Sequence, residues 1–199
     1  MDKYSIIRDL PPGKNGIIHV CSAIGKQQEV VIKEVSKRNR NVDFEKIRRE
    51  DTIMRNLIHP NVVDYHESFE DDDNLYIVME YMSGGDLRGL LDTRKLSEKQ
   101  TVTIVRQVLH ALNYLQSKQV IHRDIKPENI FLDEDLKVKI GDFGIAKEID
   151  STSTISATGG FTPSYVSPER FMNYSYDFKT DIWSLGVVMY EMLTGKMPF

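Results

Sequence analysis

The chain has 199 residues, of which 40% are hydrophobic and 28% charged, and its formal net charge is −4. That length holds one ordinary domain or two small lobes, and the apolar content supplies a core, which excludes extended disorder. Neither the stretch up to Met82 nor the remainder is basic enough for a nucleic-acid surface, and a single cysteine, Cys21, excludes an internal disulfide framework and a thiolate zinc cluster.

Cys21 itself reads as a small buried hydrophobe in a reducing compartment. The start, MDKYSIIRD, has no basic segment followed by an apolar run, and the most apolar stretch, Ile182 to Leu193, contains Glu191 and is too short to span a bilayer. These features predict an intracellular protein without a membrane span, cytoplasmic or also nuclear.

In chain order, Gly16 to Ala23, Glu29 to Val35 and Leu75 to Tyr81 are rich in Val, Ile and Tyr and predict strands of a small antiparallel sheet. Between them Asp43 is placed to cap a helix carrying Phe44, Ile47, Met54 and Leu57 at helical spacing and ending at His59-Pro60. Its face of Lys46, Arg48, Arg49 and Arg55 reads as solvated. After Ser83-Gly84-Gly85 the pattern turns helical. Ser97 and Gln100 form a capping-box signature ahead of Val102, Val105, Val108, Leu109, Leu112 and Leu115. Leu136 to Ile140 alternates as a strand does, and Ile182 to Leu193, apolar on nearly every face, predicts a helix buried all round. The hydroxyl-rich run Ser151 to Ser156 reads as a loop.

The chemistry concentrates in His122-Arg123-Asp124-Ile125-Lys126-Pro127-Glu128-Asn129. An aspartate there can accept a hydroxyl proton, a lysine can offset phosphate charge, and an asparagine carbonyl can hold a divalent metal. Asp142-Phe143-Gly144 follows the alternating run and offers a second hard oxygen ligand. Val31-Ile32-Lys33 lies upstream on a predicted strand, and two carboxylates, Glu45 and Glu50, lie on the predicted helix.

In this order the motifs resemble the eukaryotic protein kinase family, serine/threonine type, over essentially the whole chain. Asn129-Ile130-Phe131-Leu132-Asp133, Lys139 to Gly144 and His19-Val20-Cys21 look most like the NimA-related (NEK) kinases. The resemblance implies an α+β, two-lobed protein kinase-like fold: a β-rich N-lobe over 1–82 and a helical C-lobe over 83–199, incomplete at its C-terminal end. It implies transfer of the ATP γ-phosphate to a protein Ser/Thr hydroxyl, with Mg²⁺ on Asn129 and Asp142, Asp124 as base, and Lys33, held by Glu50, and Lys126 on phosphate. Lys126 and Thr162 resemble the serine/threonine class, and Ile145 leans toward threonine as acceptor. By the same resemblance Leu10, Ile18, Val31 and Phe131 are apolar walls of the adenine site, though each also suits a core. Met79 takes the gatekeeper position and Glu80-Tyr81-Met82 the hinge. Asp86 either meets the ribose or caps a helix. Met54, Tyr65, His122 and Phe143 resemble the stack that couples the lobes.

The sequence departs from the family in its glycine loop, where Pro11-Pro12-Gly13-Lys14-Asn15-Gly16 retains Gly13 and Gly16 but has proline for the first glycine, predicting weakened ATP binding. Thr162 to Glu169 resembles the segment ending in A-P-E, with Ser167 for alanine, and Asp181-Ile182-Trp183-Ser184-Leu185-Gly186 the motif whose aspartate braces the catalytic loop. Arg123 implies an activating phosphate, from another kinase or by autophosphorylation, on Thr158, or on Thr154 or Ser156. The alternative is a pseudokinase or scaffold with impaired ATP binding. The stop at Phe199, after an apolar helix, predicts a fragment, a chain poorly soluble alone, or one needing a partner over that surface.

Overall fold

The computed structural model describes residues 3–13, 16–25, 28–39, 43–148 and 162–199. They form two compact units, Met1–Leu57 with Val63–Tyr81, and Ile58–Val62 with Met82–Phe199.

The first unit is one antiparallel sheet and one helix. Strands β1 (Tyr4–Gly13), β2 (Gly16–Ala23), β3 (Glu29–Ser36), β4 (Tyr65–Glu70) and β5 (Asn74–Glu80) are ordered β1-β2-β3-β5-β4. Three of these were expected; β1 and β4 were not, because their apolar residues are interspersed with charged and polar ones. Strand alternation divides the apolar residues into two layers. Cys21, Val30, Ile32, Tyr76 and Val78 pack on one side with Tyr4 and Phe69, and Val35, Leu75 and Ile77 pack on the other against Ile47 of the helix. Cys21 is a buried free thiol, as its apolar reading requires.

That helix, α1 (Phe44–Arg55), starts where expected, with Asp43 accepting from Lys46 N at 3.2 Å. It ends at Arg55 rather than at His59-Pro60. Asn56 and Leu57 turn their N–H groups to Ile53 O and Met54 O, and the Asn56 side chain bonds Thr52 O, so the last carbonyls are satisfied before the proline acts. The basic face is exposed at Arg48, Arg49 and Arg55, as expected, and carries two surface ion pairs, Arg48 with Glu70 and Arg55 with Asp51, both at 2.9 Å.

Residues Ile58–Val62 belong to the second unit through Ile58 N to Tyr114 Oη (2.9 Å), Asn61 Nδ2 to Val138 O (2.8 Å) and Ile140 N to Asn61 O (2.9 Å). The other elements there are α2 (Leu87–Thr93), α3 (Glu98–Ser117), β6 (Val120–Ile121), β7 (Ile130–Leu132), β8 (Val138–Ile140), β9 (Lys147–Glu148), α4 (Pro168–Phe171) and α5 (Lys179–Thr194). Short 3₁₀ turns cover Pro127–Asn129 and Pro163–Tyr165.

The capping box forms on α3, with Gln100 N bonded to Ser97 Oγ and Ser97 N to Gln100 Oε1. Its buried stripe is Thr101, Ile104, Val108, Ala111, Leu112 and Leu115. Val102 and Leu109, assigned to the stripe from hydropathy, are exposed. A helix turns by about 100° per residue, so Val102 and Leu109 lie well off the face set by Thr101, Ile104, Val108 and Leu112, while Val108, Leu112 and Leu115 are buried as expected.

The expectation for α5 needs the larger correction. It is not buried all round: Ile182, Trp183, Tyr190 and Leu193 are exposed, and Trp183 stacks on Phe199 at 5.9 Å. The buried face carries Thr180, Asp181, Ser184 and Glu191 among its apolar residues. Polar residues point inward because each finds a partner there, as the site shows. Gly195, at φ 69°, ends the helix in the left-handed conformation. Among the described residues no helix is long and apolar enough to cross a membrane.

Candidate functional site

Pairing register in the first unit brings five of the candidate residues to one sheet face. Residues paired across antiparallel strands project to the same side, and the pairs are Leu10 with Ile18, Ile18 with Lys33, Lys33 with Ile77, and Val31 with Met79. Leu10, Ile18, Val31, Lys33 and Met79 thus share the face that receives α1. Leu10, Ile18, Val31 and Met79 are half-buried. Lys33 meets Glu50 there, Nζ to Oε1 at 2.8 Å and to Oε2 at 2.9 Å, with only 2% of the Glu50 side chain exposed. Glu45 stays in the exposed first turn of α1.

The glycine loop has a local explanation. Strand β1 continues through Pro11 to Gly13, with a register shift between Leu10 and Gly13 and Gly13 opposite Gly16. Pro11 stands where the ladder is interrupted, so its missing N–H removes no regular pair. Gly16 is required by the sheet itself, since a Cβ there would lie 2.1 Å from Glu34 O. Lys14 and Asn15 lie outside the described residues. Glu80 ends β5, its carboxylate accepting from Asp64 N at 3.2 Å. Met82 is buried.

In the second unit Asp86 caps α2, accepting from Gly89 N at 2.8 Å, and bridges to Phe131 of β7. The capping alternative for Asp86 is therefore realised. Gly84 lies against backbone, with a Cβ position 2.8 Å from both Leu132 O and Asp133 O.

The β7–β8 hairpin assembles the acidic site. Ile130 pairs with Ile140, and Gly141 N bonds Asn129 O at 3.1 Å, so Asn129 and Asp142 flank the same end of the hairpin. Asp142 sits at φ 57° and is exposed, with Oδ1 3.4 Å from Gly144 N. Asn129 commits its amide nitrogen to Asp124 O at 2.7 Å and Asp124 Oδ2 at 3.1 Å, leaving its carbonyl as the amide's other polar atom. An amide oxygen and a carboxylate make a hard donor set. Among the described residues no cluster of three or more His, Cys, Asp or Glu could hold a metal ion by itself. Two oxygen donors fit Mg²⁺, which keeps waters or phosphate oxygens in its remaining positions, better than a zinc-type cage.

Asp124 is the centre of a hydrogen-bonded group. Its Oδ2 accepts from Lys126 Nζ at 2.8 Å and its Oδ1 from Thr162 Oγ1 at 3.2 Å, while Lys126 also reaches Thr162 at 3.3 Å. Burial pushes the Asp124 carboxyl up, but the hydrogen bond and charge of Lys126, with the hydrogen bond from Thr162, outweigh it and hold the carboxyl below its ordinary range. The preceding loop is braced from α5: Asp181, 3% exposed, accepts from His122 N at 2.9 Å and Arg123 N at 2.8 Å. His122 Nδ1 accepts from Asp124 N and Nε2 faces Gly141 O at 3.0 Å, so the hydrogen must be on Nε2. Its ring lies 4.9 Å from that of Phe143. Met54 and Tyr65, the other residues of the expected stack, are in the first unit.

Hydropathy gave no sign of a second, part-buried network. Arg88 of α2 donates Nη2 to Glu191 Oε1 at 2.7 Å and to Tyr165 Oη at 2.8 Å, and Tyr165 donates to Glu191 Oε2 at 2.7 Å. Burial and Glu191 both push the Tyr165 phenol above its ordinary range. Ser184 holds Tyr165 O at 2.8 Å, and Ser167, in place of alanine, bonds Thr180 at 2.8 Å. Glu191 inside an apolar run was the available signal. Arg170, buried and bonded to Arg123 O, had none. Thr158, Thr154 and Ser156 lie outside the described residues; Glu169 is half-buried.

The protein kinase domain family model matches residues 4–199. The chain is 39% identical over 203 residues to the serine/threonine-protein kinase Nek1 of Mus musculus, covering 100% of this chain and 17% of that protein. It is 40% identical to the serine/threonine-protein kinase cds1 of Schizosaccharomyces pombe, covering 98% and 45%. It is 36% identical to the serine/threonine-protein kinase Nek5 of Homo sapiens, covering 100% and 29%. The chain thus spans less than half the length of these curated relatives. Nek kinases recur among them, in keeping with the NimA-related resemblance.

Proposed function

Because this chain belongs to the protein kinase domain family, we propose that it transfers the γ-phosphoryl group of ATP to a serine or threonine hydroxyl of a protein. The observation that carries this reading is the Asp124 group: a carboxylate kept ionised, with a lysine, an asparagine amide and a threonine hydroxyl on its two oxygens.

In this reading Asp124 orients the acceptor hydroxyl and takes its proton, and Lys126 lies beside it to offset charge on the transferred phosphoryl. Thr162 holds the other carboxylate oxygen and limits its rotation. Lys33, pinned by Glu50, binds phosphate oxygens. In the first unit Leu10, Ile18, Val31 and Met79 offer apolar surface suited to a base, with Glu80 and Tyr81 offering backbone groups; in the second unit Met82 and Phe131 carry the same expectation. Gly13 and Gly16 allow backbone to approach phosphate, and Asp86 retains one carboxylate oxygen for the ribose while capping α2. Asn129 and Asp142 are the residues that would hold Mg²⁺, which when bound neutralises charge on the β and γ phosphates. Protein substrates and an activating phosphorylation between β9 and Thr162 belong to the same reading.

The scaffold alternative drew on Pro11, and the interrupted ladder at Pro11 accommodates that residue without loss of a regular pair. The test is phosphate transfer from γ-labelled Mg·ATP to a Ser/Thr peptide library, with Asp124→Asn as control. Transfer by the parent and its loss in the variant are expected. Full transfer by Asp124→Asn, or none by a parent whose melting is raised by Mg·ATP, overturns the assignment.

A further inference from the structure

The turn that carries Asp124 is held from two directions. Arg123 adopts a φ of 74°, a left-handed conformation that is unfavourable for a bulky residue and persists only where neighbours over-determine it. Asp181 supplies the amide side by accepting from His122 N and Arg123 N. Arg170 supplies the carbonyl side, donating Nη1 to Arg123 O.

That carbonyl belongs to the peptide group joining Arg123 to Asp124. The N–H end of the same peptide donates to His122 Nδ1 at 3.3 Å. A planar peptide gripped at both ends cannot turn about its flanking bonds, and its orientation sets the direction in which the Asp124 side chain leaves the backbone. Arg170 is itself fixed. It is 3% exposed on α4, and its guanidinium lies 5.3 Å from the Tyr176 ring centroid, with that of Arg123 at 5.8 Å from the same ring. A planar guanidinium can lie against an aromatic ring and still direct an N–H at a carbonyl in its own plane, which an ammonium cannot match.

We propose that Arg170 is a positioning residue for Asp124: it locks the Arg123–Asp124 peptide from the carbonyl side, so the base is aimed only when α4 is seated. The role rests on the phosphotransfer reading above, and Arg170 acts through Arg123 without touching the reacting atoms.

The test compares the parent chain with Arg170→Lys and Arg170→Met in two measurements. In peptide phosphorylation, kcat should fall roughly 10- to 100-fold in Arg170→Met, as a small misplacement of a reacting group does, with the KM for ATP held within about twofold and part of kcat recovered in Arg170→Lys. In amide hydrogen exchange without ATP, the segment from Ile121 to Ile125 should exchange roughly tenfold faster in both variants while the β7–β8 hairpin is unchanged. Unaltered exchange at Ile121 to Ile125, or exchange raised equally in the hairpin, overturns the proposal, as does a kcat within about twofold of the parent in a folded variant. If Arg170→Met does not fold, Arg170→Lys decides on the same readings. A parent that transfers no phosphate overturns the phosphotransfer reading alone, and the exchange comparison still decides whether Arg170 positions the loop.

Discussion

Replacing Asp181 separates the bracing of the catalytic loop from ordinary packing. The Asp181 side chain is 3% exposed and its two oxygens each accept one backbone N–H, from His122 at 2.9 Å and Arg123 at 2.8 Å. Asp181→Asn keeps shape and volume but turns one acceptor into a donor, so one buried amide loses its partner and faces another N–H. A buried donor left unsatisfied costs about 1–3 kcal/mol, so Asp181→Asn should lose about 2 kcal/mol and Asp181→Ala, which abandons both amides, about 4 kcal/mol. At about 2–4 °C per kcal/mol for a chain of this size, the melting temperature should drop by about 4–8 °C and 8–16 °C respectively. Burial pushes the Asp181 carboxyl up against the pull of these partners, so part of the gain from the two bonds is already offset by desolvation in the parent. Thermal melts followed by circular dichroism, with phosphotransfer measured on the same samples, give the comparison. Equal melting of Asp181→Asn and the parent, or equal losses in Asn and Ala, would refute the reasoning that each oxygen serves one amide.

Glu50→Ala should lose about 3–5 kcal/mol in a denaturant melt, because it removes one partner of a buried ion pair together with both hydrogen bonds that Glu50 accepts from Lys33; a loss under about 1 kcal/mol would mean that the pair is solvated. Gly16→Ala should cost about 1–3 kcal/mol, because its Cβ would sit 2.1 Å from Glu34 O and backbone must move; unchanged stability would show that the β2–β3 pair yields freely. Asp124 is held below its ordinary range in the folded chain. Its contribution to stability is therefore complete above the unfolded carboxylate value of about 3.9 and is lost as pH falls through the folded value. The stability gap between parent and Asp124→Asn should be flat from neutral pH down to about pH 4.5 and shrink below it; a gap that shrinks above about pH 5 contradicts the sign.

The motifs of the candidate site were legible because their residues are close in sequence and chemically specific. His122 to Asn129 and Asp142 carry their meaning in type and order, and the hairpin between them needs only short-range pairing to bring Asn129 beside Gly141. Lys33 and Glu50 were legible only through the family resemblance, and the pairing register of β3 puts Lys33 on the face that receives α1. Start signals were also local: Asp43 and Ser97 cap their helices as read, since a cap depends on a few adjacent residues. The end of α1 was missed because Asn56 closes the helix with bonds to its own last turn before Pro60 can act.

What the sequence determined by itself was the order of the motifs and the kinds of element, since these depend on residue type and near neighbours. The facing of the long helices was decided by tertiary structure. In α5 the hydropathy of Ile182, Trp183, Tyr190 and Leu193 argues for burial, yet they face outward, while Asp181, Ser184 and Glu191 are inside. A buried polar group is stable only where a distant segment brings its partner: the loop amides of His122 and Arg123 for Asp181, Tyr165 O for Ser184, and Arg88 with Tyr165 for Glu191. Those partners lie far from α5 in the chain, so no local pattern encodes them. The same holds for Arg170, whose carbonyl partner at Arg123 exists only because the folded loop turns that peptide toward α4.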